Sequence, residues 1–521
     1  MVFVNIETTL IAANTNGTVG TLITILFTIL LLTLMIVGAY LLMRTIGQKK
    51  SILQEDKNGE LVQIDEHIMG VPTKTALIFV IILGMVIRII FGMTIKGDAL
   101  ILQNLTSAVE HYKNTGLRDY YGDGQLYPIA MYIFSLFGGI IGSGLSTTSV
   151  GLQLLLKLPL FLAEIGIVVL LYKIAKKYTN LKVGFIVASL YFLNPLFLMS
   201  TSMATSSSVL VAFFLLASFY LMINKKYFAF IAVFFLAILT DSIALLFVVP
   251  VLIYSIYLIA KGIKACKLNG VDGMMQDKQR AIVVLIPLYF IVGVIASALI
   301  AWPLMAVATK NAFLGVFDKV WFSGILDNYG TFSDNALSIY NIFLRNGIPI
   351  GDGFPVLVFF IIFFLLACGI VLSIYLSKKN RANFVLITAF VVVTIATYYI
   401  GATAYSMLPA LVLLLFAFIL IKDRRILKIF TLFSLLIFVN AIAALIHSGN
   451  FANVITGTGE THLISGGGLA INIICTVLAV IIHVYFTMVT LDICMNNKVN
   501  YLKIDENARF MDGLKAVLWK G

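Results

Sequence analysis

The sequence predicts an all-α protein that crosses a membrane about 13 times. Of its 521 residues 61% are hydrophobic and 12% are charged, whereas soluble proteins carry about 25% charged residues. Apolar runs of about 20 residues recur, the length that crosses a hydrocarbon core. Lysines and arginines cluster at the ends of these runs. Membrane topology therefore explains the net charge of +12 better than a nucleic-acid partner does.

The first apolar run covers residues 21–43 and is followed by Arg44, Lys49 and Lys50. By the positive-inside rule, the N-terminus is then outside and the next loop is cytoplasmic. No basic leader precedes the run, so we expect a retained anchor and not a cleaved signal peptide. The chain divides into three predicted units: 1–73, an anchor helix with a cytoplasmic loop; 74–492, the transmembrane domain; and 493–521, a cytoplasmic tail.

The second span, residues 75–94, returns the chain to the outside. Residues 127–141 are short and interrupted by glycines, so we predict a re-entrant or surface-lying external helix there. The remaining predicted spans alternate in direction and leave every strong basic cluster on one side: 152–172, 183–200, 207–223, 227–240, 243–260, 281–302, 355–376, 384–400, 404–421, 429–446 and 469–491. Residues 96–151 and 303–354 are then long external segments. The protein is predicted to lie in the cell membrane with its C-terminus in the cytoplasm.

The polar stretch at residues 96–128 is the first candidate for an active site. Asp98 follows an apolar run directly, the middle of the stretch is rich in aromatics, and Tyr127-Pro128 leads into the next apolar piece. An ordinary external loop of a multi-span protein is the alternative interpretation.

We single out five ionisable residues within or at the ends of predicted spans, where such groups are costly and tend to face a cavity or a partner. Arg88 would either neutralise an anionic lipid phosphate or pair with an acid such as Glu164. Asp241 is expected at a helix terminus. His483 and Asp492 are expected to snorkel or pair near the cytoplasmic side.

The second external segment carries Trp321, Asp334, Asn335 and Arg345 among several tyrosines. Aromatic rings stack on sugar faces and carboxylates accept hydrogen bonds from hydroxyls, so this mixture suits a polyhydroxylated ligand. It equally suits an interfacial aromatic belt without a ligand.

Motifs of several other classes are missing from the sequence. It has no Gly-rich nucleotide-binding loop with Lys-Ser/Thr, no His-Glu-x-x-His and no Cys-x-x-Cys. ATP-driven transport, zinc-protease activity and a redox role are disfavoured. The four cysteines lie far apart, so neither disulfides nor a protein metal site is predicted.

Several stretches, taken in order, resemble the polytopic GT-C glycosyltransferases, in particular bacterial mannosyltransferase-like members that use a polyprenyl-phosphate sugar. The stretches are Arg88 late in a span, Gly97-Asp98 at its external exit, Gly116, Tyr120-Tyr121, Tyr127-Pro128, and residues 156–178, 188–202 and 329–343.

The resemblance implies a GT-C-like bundle with external loop helices and a lipid-linked sugar as donor. It implies that Asp98 is the general base and that Arg88, Lys96 or Arg345 assists the leaving phosphate. Whether the reaction requires a divalent metal is left open. Membrane lipids and a membrane-protein partner are further expected contacts. No nucleic-acid partner is expected. The expected substrate-binding residues are Arg88, Lys96, Tyr127, Glu164, Trp321, Asp334, Asn335 and Arg345.

Two other functions stay open at this point. Residues 200–206 stand where many relatives carry Trp-Gly-Gln and an Asp, and residues 401–406 stand where relatives often carry His-Glu-Arg. A catalytically silent GT-C-like subunit or scaffold would fit these departures. A transporter or lipid flippase would require helices broken near the midplane in two paired halves.

Overall fold

The computed structural model describes residues 18–45, 53–55, 61–63, 67–68, 70–95, 99–122, 126–146, 149–269, 274–275, 277–305, 333–334, 336–343, 369, 381–398, 402–447 and 467–500. The described residues are 84% helical and few of them lie in strands, which confirms the all-α class. Six described helices are long and apolar enough to cross a membrane, or up to seven if a bent pair is one span. The total of about 13 spans stays a prediction.

Sixteen described helices follow one another along the chain. They are α1 (Thr18–Thr45), α2 (Thr73–Thr94), α3 (Ala99–Thr115), α4 (Pro128–Phe134, continued by a π-helical turn Ser135–Ile141), α5 (Val150–Tyr178), α6 (Leu181–Phe192), α7 (Pro195–Ser202), α8 (Ser208–Ile223), α9 (Tyr227–Ile238), α10 (Val248–Asn269, preceded by a 3-10 turn Ser242–Phe247), α11 (Lys278–Ala301), α12 (Tyr340–Phe343), α13 (Arg381–Tyr398), α14 (Leu408–Ile421), α15 (Arg424–His447) and α16 (Gly467–Cys494).

The described strands are very short. β1 (Leu53–Glu55) and β2 (Leu61–Gln63) form an antiparallel pair, as do β3 (His67–Ile68) and β4 (Val71–Pro72). The parallel pair β5 (Ser333–Asp334) and β6 (Ala402–Thr403) joins the second external segment to the approach to α14.

Helix α2 shows how an apolar helix can pack along one narrow stripe. Its buried residues are Thr73, Leu77, Gly84, Arg88 and Gly92, which lie on one face, while its large aliphatic side chains are exposed. Since lipid tails are as apolar as these aliphatic residues, small residues at a helix interface allow the close packing that favours association in a membrane. A β-carbon on Gly84 would overlap the ring of Phe192 in α6, so close approach of these two helices requires glycine there.

The predicted span at residues 183–200 consists of two helices. α6 and α7 meet at an angle of 50°. Pro195 occupies the first turn of α7, and the Asn194 side chain accepts a hydrogen bond from the Leu196 backbone N–H at 3.0 Å. Proline at this position cannot donate to the preceding turn, and the asparagine caps the new helix.

One end of the bundle gathers the helix ends that carry basic residues. Lys177 at the end of α5 donates to Asn224 after α8, and Asn180 before α6 donates to the Thr45 carbonyl at the end of α1 at 3.0 Å. Arg425 in α15 pairs with Asp492 in α16 at 2.8 Å. We call this the basic end.

The opposite end gathers α3, α4 and the last turns of α9 and α11. Tyr132 donates to the Ile300 carbonyl at 2.7 Å, and the Ile129 N–H donates to the Leu239 carbonyl at 2.8 Å. We call this the aromatic end. The helix ends that the sequence assigned to one side of the membrane therefore lie together, while the direction of the chain across the membrane stays a prediction.

Some predicted elements fall outside the described residues. The predicted span at 355–376 does so except for residue 369, and so does most of the segment 303–354. Of the predicted tail, residues 493–500 are described, and the Arg424 N–H donates to the Asn500 carbonyl at 3.2 Å.

Candidate functional site

A buried ion pair joins α2 to α5. Arg88 donates through Nε to one carboxylate oxygen of Glu164 and through Nη2 to the other at 3.0 Å, and both side chains have 0% exposure. This is the bidentate geometry in which a planar guanidinium matches a carboxylate. The sequence left two roles open for Arg88, and pairing with Glu164 is confirmed.

The rest of the guanidinium contacts α2 and α6. Nη2 also donates to the Phe192 carbonyl at 2.9 Å, and Nη1 donates to the Gly84 carbonyl at 3.2 Å. The guanidinium carbon lies 4.0 Å from the centroid of the Phe192 ring. The Arg88 side chain therefore fixes α2 against both α5 and α6.

On the carboxylate side, Glu164 has a further partner in α7. The Thr201 hydroxyl lies 3.2 Å from a Glu164 oxygen and is itself fully buried. Because a buried charge is tolerated only with partners, this hydroxyl adds a hydrogen bond to those that Arg88 donates. Three helices thus meet at one carboxylate.

Lys157, two helical turns before Glu164, forms a second buried cationic site. Its ammonium donates to the carbonyls of Gly92 at 3.2 Å, of Ile95, and of Ser202 at 2.8 Å. An ammonium has three N–H donors, so these carbonyls match it in full. They lie at the C-terminal ends of α2 and α7, where a cation complements the unpaired carbonyls and the helix dipole.

Lys157 was not among the residues predicted from the sequence. The signal was present, because a lysine seven residues before Glu164 in one apolar run lies on nearly the same helix face. Its partners are backbone carbonyls of two other helices, and residue type gives no indication of those.

At the aromatic end, tyrosines surround the start of α4. Tyr120, Tyr121 and Tyr127 are buried, and the Tyr120 hydroxyl accepts from the Leu126 N–H at 3.0 Å. Burial raises the pKa of Tyr121 well above its ordinary value, and the neighbouring Tyr120 adds to the rise. The Tyr121 phenol therefore stays neutral.

The structure brings together some of the predicted site residues. Arg88 and Glu164 are in direct contact. Tyr127 lies with Tyr120 and Tyr121 in one buried group at the aromatic end, which we call the aromatic cluster. Asp334 is described through its backbone, which pairs with Thr403 in the short parallel ladder. The other predicted site residues lie outside the described part of the chain: Lys96, Asp98, Trp321, Asn335 and Arg345.

The remaining ionisable residues in the spans have structural partners. Asp241 accepts from the Ile243 N–H at 3.0 Å and caps the 3-10 turn before α10, which confirms its predicted helix-terminus role. Asp492 pairs with Arg425 as expected. His483 lies 2.7 Å from the Thr394 hydroxyl and 3.2 Å from that of Tyr398, so it is paired inside the bundle.

Within the described residues, no three His, Cys, Asp or Glu side chains gather as metal ligands would. No protein-family model matches the chain, and no curated protein matches its sequence.

Proposed function

We propose that the protein is a membrane glycosyltransferase. It would transfer a sugar from a polyprenyl-phosphate carrier to an acceptor at the external face of the cell membrane, with Asp98 as general base. The observation that supports this is the anchoring of the α2 C-terminus by Lys157. Its ammonium bonds the carbonyls of Gly92 and Ile95, and Asp98 follows Ile95 by three residues. A fixed exit from the bundle is what a positioned catalytic acid requires.

In the proposed reaction, the Asp98 carboxylate accepts the proton of the acceptor hydroxyl. The acceptor oxygen forms its bond to the anomeric carbon, while the bond from that carbon to the lipid phosphate breaks and its electron pair leaves with the phosphate. A carboxylate at the edge of an apolar bundle is desolvated, which favours its protonated form and makes it a better base.

The leaving phosphate needs cationic stabilisation. Because Arg88 is bonded to Glu164 and to the Phe192 and Gly84 carbonyls, we assign it first to positioning α2. Lys96 and Arg345 then take the phosphate. Tyr127, Trp321, Asp334 and Asn335 are proposed to line the groove for the sugar or acceptor.

The proposed orientation has the N-terminus outside and the C-terminus in the cytoplasm. It puts the aromatic end at the external face, where the lipid-linked donor and the acceptor would meet. Membrane lipids surround the bundle, and a membrane-protein partner remains part of the proposal.

The test is transfer of labelled sugar from a panel of polyprenyl-phosphate donors in membranes that contain the wild type or Asp98→Asn. Loss of a general base lowers turnover by about 10²–10⁴-fold. Glu110→Gln is the matched control, because Glu110 is an exposed acid on α3 with no role in the proposal. Equal transfer by wild type and Asp98→Asn would remove Asp98 from the role of base.

A specific observation favours the silent GT-C-like subunit as second candidate. Residues 200–206 are all buried, and most of their hydroxyls bond within the protein. Ser200 donates to the Phe197 carbonyl at 2.8 Å, and Ser206 lies 2.8 Å from the Ser208 hydroxyl. This segment offers no side chain to a substrate. Absence of transfer from every donor would favour this candidate over the enzyme.

A transporter is less well supported. The α6–α7 pair is the one bent pair found among the described helices, and a transporter of inverted repeats would need a second break in the matching half.

A further inference from the structure

An open cavity of about 1130 Å³ lies at the basic end. Its walls come from the turn between α8 and α9 with the start of α9, the middle of α10, the first turns of α11, Asn383 near the start of α13, and Asn497 after α16. Pockets for small ligands typically measure about 300–1,000 Å³, so this cavity has room for a large ligand or part of one.

Four lysines line the cavity: Lys225, Lys226, Lys261 and Lys278. All four are exposed, and none of their ammonium groups has a hydrogen bond or ion pair with another described residue. None of the described residues that line the cavity is acidic. Such a group of uncompensated positive charges creates a potential that attracts anions.

The start of α9 adds to this potential. α9 begins at Tyr227, and no side chain caps its first turn. The first turn of a helix carries the positive end of the helix dipole, which favours a phosphate nearby. Lys225 and Lys226 precede this turn directly, so the dipole and the lysine charges act on the same space.

Deeper in, the wall is apolar and aromatic. Tyr254 and Ile286 are buried in it, and Phe228 packs edge-on against Tyr289 with ring centroids 5.3 Å apart. Phe228 is 56% exposed, so the aromatic wall continues to the outer surface. The outer face of α11 beyond it is also apolar, with Leu288 and Ile291 exposed.

We propose that this cavity binds an acidic phospholipid of the adjoining membrane leaflet. The lysines and the first turn of α9 would contact the lipid phosphate, while the acyl chains would lie along Phe228, Tyr289 and the apolar face of α11. Free phosphate would leave the apolar wall unused, and a neutral lipid would leave the lysines unpaired. Basic pockets between transmembrane helices at a membrane surface bind anionic head groups by this combination. The proposal is independent of the proposed sugar transfer.

The test uses the full-length protein in detergent, with native mass spectrometry and thermal unfolding as readouts. The probes are phosphatidylglycerol, phosphatidylcholine, a polyprenyl phosphate and inorganic phosphate. We expect phosphatidylglycerol to be retained and to raise the unfolding temperature, and phosphatidylcholine and inorganic phosphate to do so much less. Polyprenyl phosphate bound at the proposed sugar-transfer site is expected to stay bound when the cavity is changed.

Two variants examine the cavity. The quadruple change Lys225→Gln, Lys226→Gln, Lys261→Gln and Lys278→Gln is expected to weaken phosphatidylglycerol binding by roughly 100-fold or more, from about 5-fold for each basic residue near a membrane surface. Ile282→Trp keeps every lysine and fills part of the cavity, since Ile282 lines it. It should weaken binding as well.

The matched control replaces four exposed lysines of the same end that do not line the cavity, Lys173, Lys176, Lys264 and Lys267, by glutamine. The net charge changes equally, so this control should keep its phosphatidylglycerol. Equal loss in both quadruple variants would overturn the proposal in favour of diffuse surface charge. Equal retention of phosphatidylcholine, stabilisation by inorganic phosphate alone, or a loss of polyprenyl phosphate in the cavity variants that exceeds their loss of phosphatidylglycerol would each overturn it too.

Discussion

The ion pair between Arg88 and Glu164 provides a stability prediction with a large expected effect. Arg88→Met removes the guanidinium and leaves the Glu164 carboxylate, which has 0% exposure, with the Thr201 hydroxyl as its described partner. Breaking a buried pair by removing one partner costs about 3–5 kcal/mol. The same range is expected for Glu164→Leu, which leaves the guanidinium buried with only carbonyl partners.

The double variant Arg88→Met/Glu164→Leu separates the pair from its surroundings. It has no buried charge at this position, and apolar replacement of a whole buried pair is often neutral or stabilising. We therefore expect its loss of stability to be smaller than the sum of the single losses by about 2 kcal/mol or more. The assay is unfolding of the purified proteins in mixed micelles, followed by circular dichroism over a denaturant series.

Arg280→Met is the matched control. Arg280 pairs with Asp277 at 3.0 Å, with side-chain exposures of 14% and 36%, and a pair whose carboxylate is open to solvent contributes little to stability. We expect this variant to unfold like the wild type. If Arg88→Met were as mild as Arg280→Met, or if the two changes at the buried pair were additive, the assigned role of the pair would be refuted.

Two further predictions concern the packing of α2. Lys157→Met should leave the carbonyls of Gly92, Ile95 and Ser202 without their ammonium donor. The loss of unfolding free energy should be at least about 2 kcal/mol, because buried acceptors lose their partner. Backbone hydrogen exchange at the end of α2 should become faster, and unchanged exchange there would contradict the anchoring. Gly84→Ala should destabilise the protein by about 1–3 kcal/mol through overlap with Phe192 and so lower its unfolding temperature. Gly144→Ala, with nothing within 4 Å of its β-carbon, should not. Equal unfolding temperatures of the two variants would refute the close approach.

Hydropathy was sufficient to find most of the described helices. The predicted runs 75–94 and 152–172 correspond to α2 and α5. Both ends of α2 and the start of α5 lie close to the predicted ones, and α5 continues beyond its predicted end to Tyr178. This works because a helix in lipid must satisfy its backbone internally, so length and composition alone determine it.

Sequence patterns are less informative where partners come from distant parts of the chain. Residues 183–200 were predicted as one span, yet Asn194 and Pro195 start a second helix at 50° to the first. Both residue types have the right local chemistry, but many membrane helices accommodate a proline with a smaller bend. The choice between the two depends on what packs around the break, and a single sequence does not contain that information.

Helix α11 connects the two proposed sites, and from its length we predict that they act separately. It begins at Lys278, which lines the lipid cavity, and ends near Ile300, whose carbonyl accepts from Tyr132 in the aromatic cluster. At 1.5 Å per residue its 24 residues span roughly 36 Å, far beyond the Debye length of about 8 Å at physiological salt. Charge removed at the basic end therefore has no direct electrostatic effect at the aromatic end. Asp98→Asn should leave phosphatidylglycerol binding unchanged, and the cavity variants should leave any sugar transfer unchanged when both are measured on one preparation. Loss of both properties in either variant would mean that the helix transmits a conformational change between the two ends.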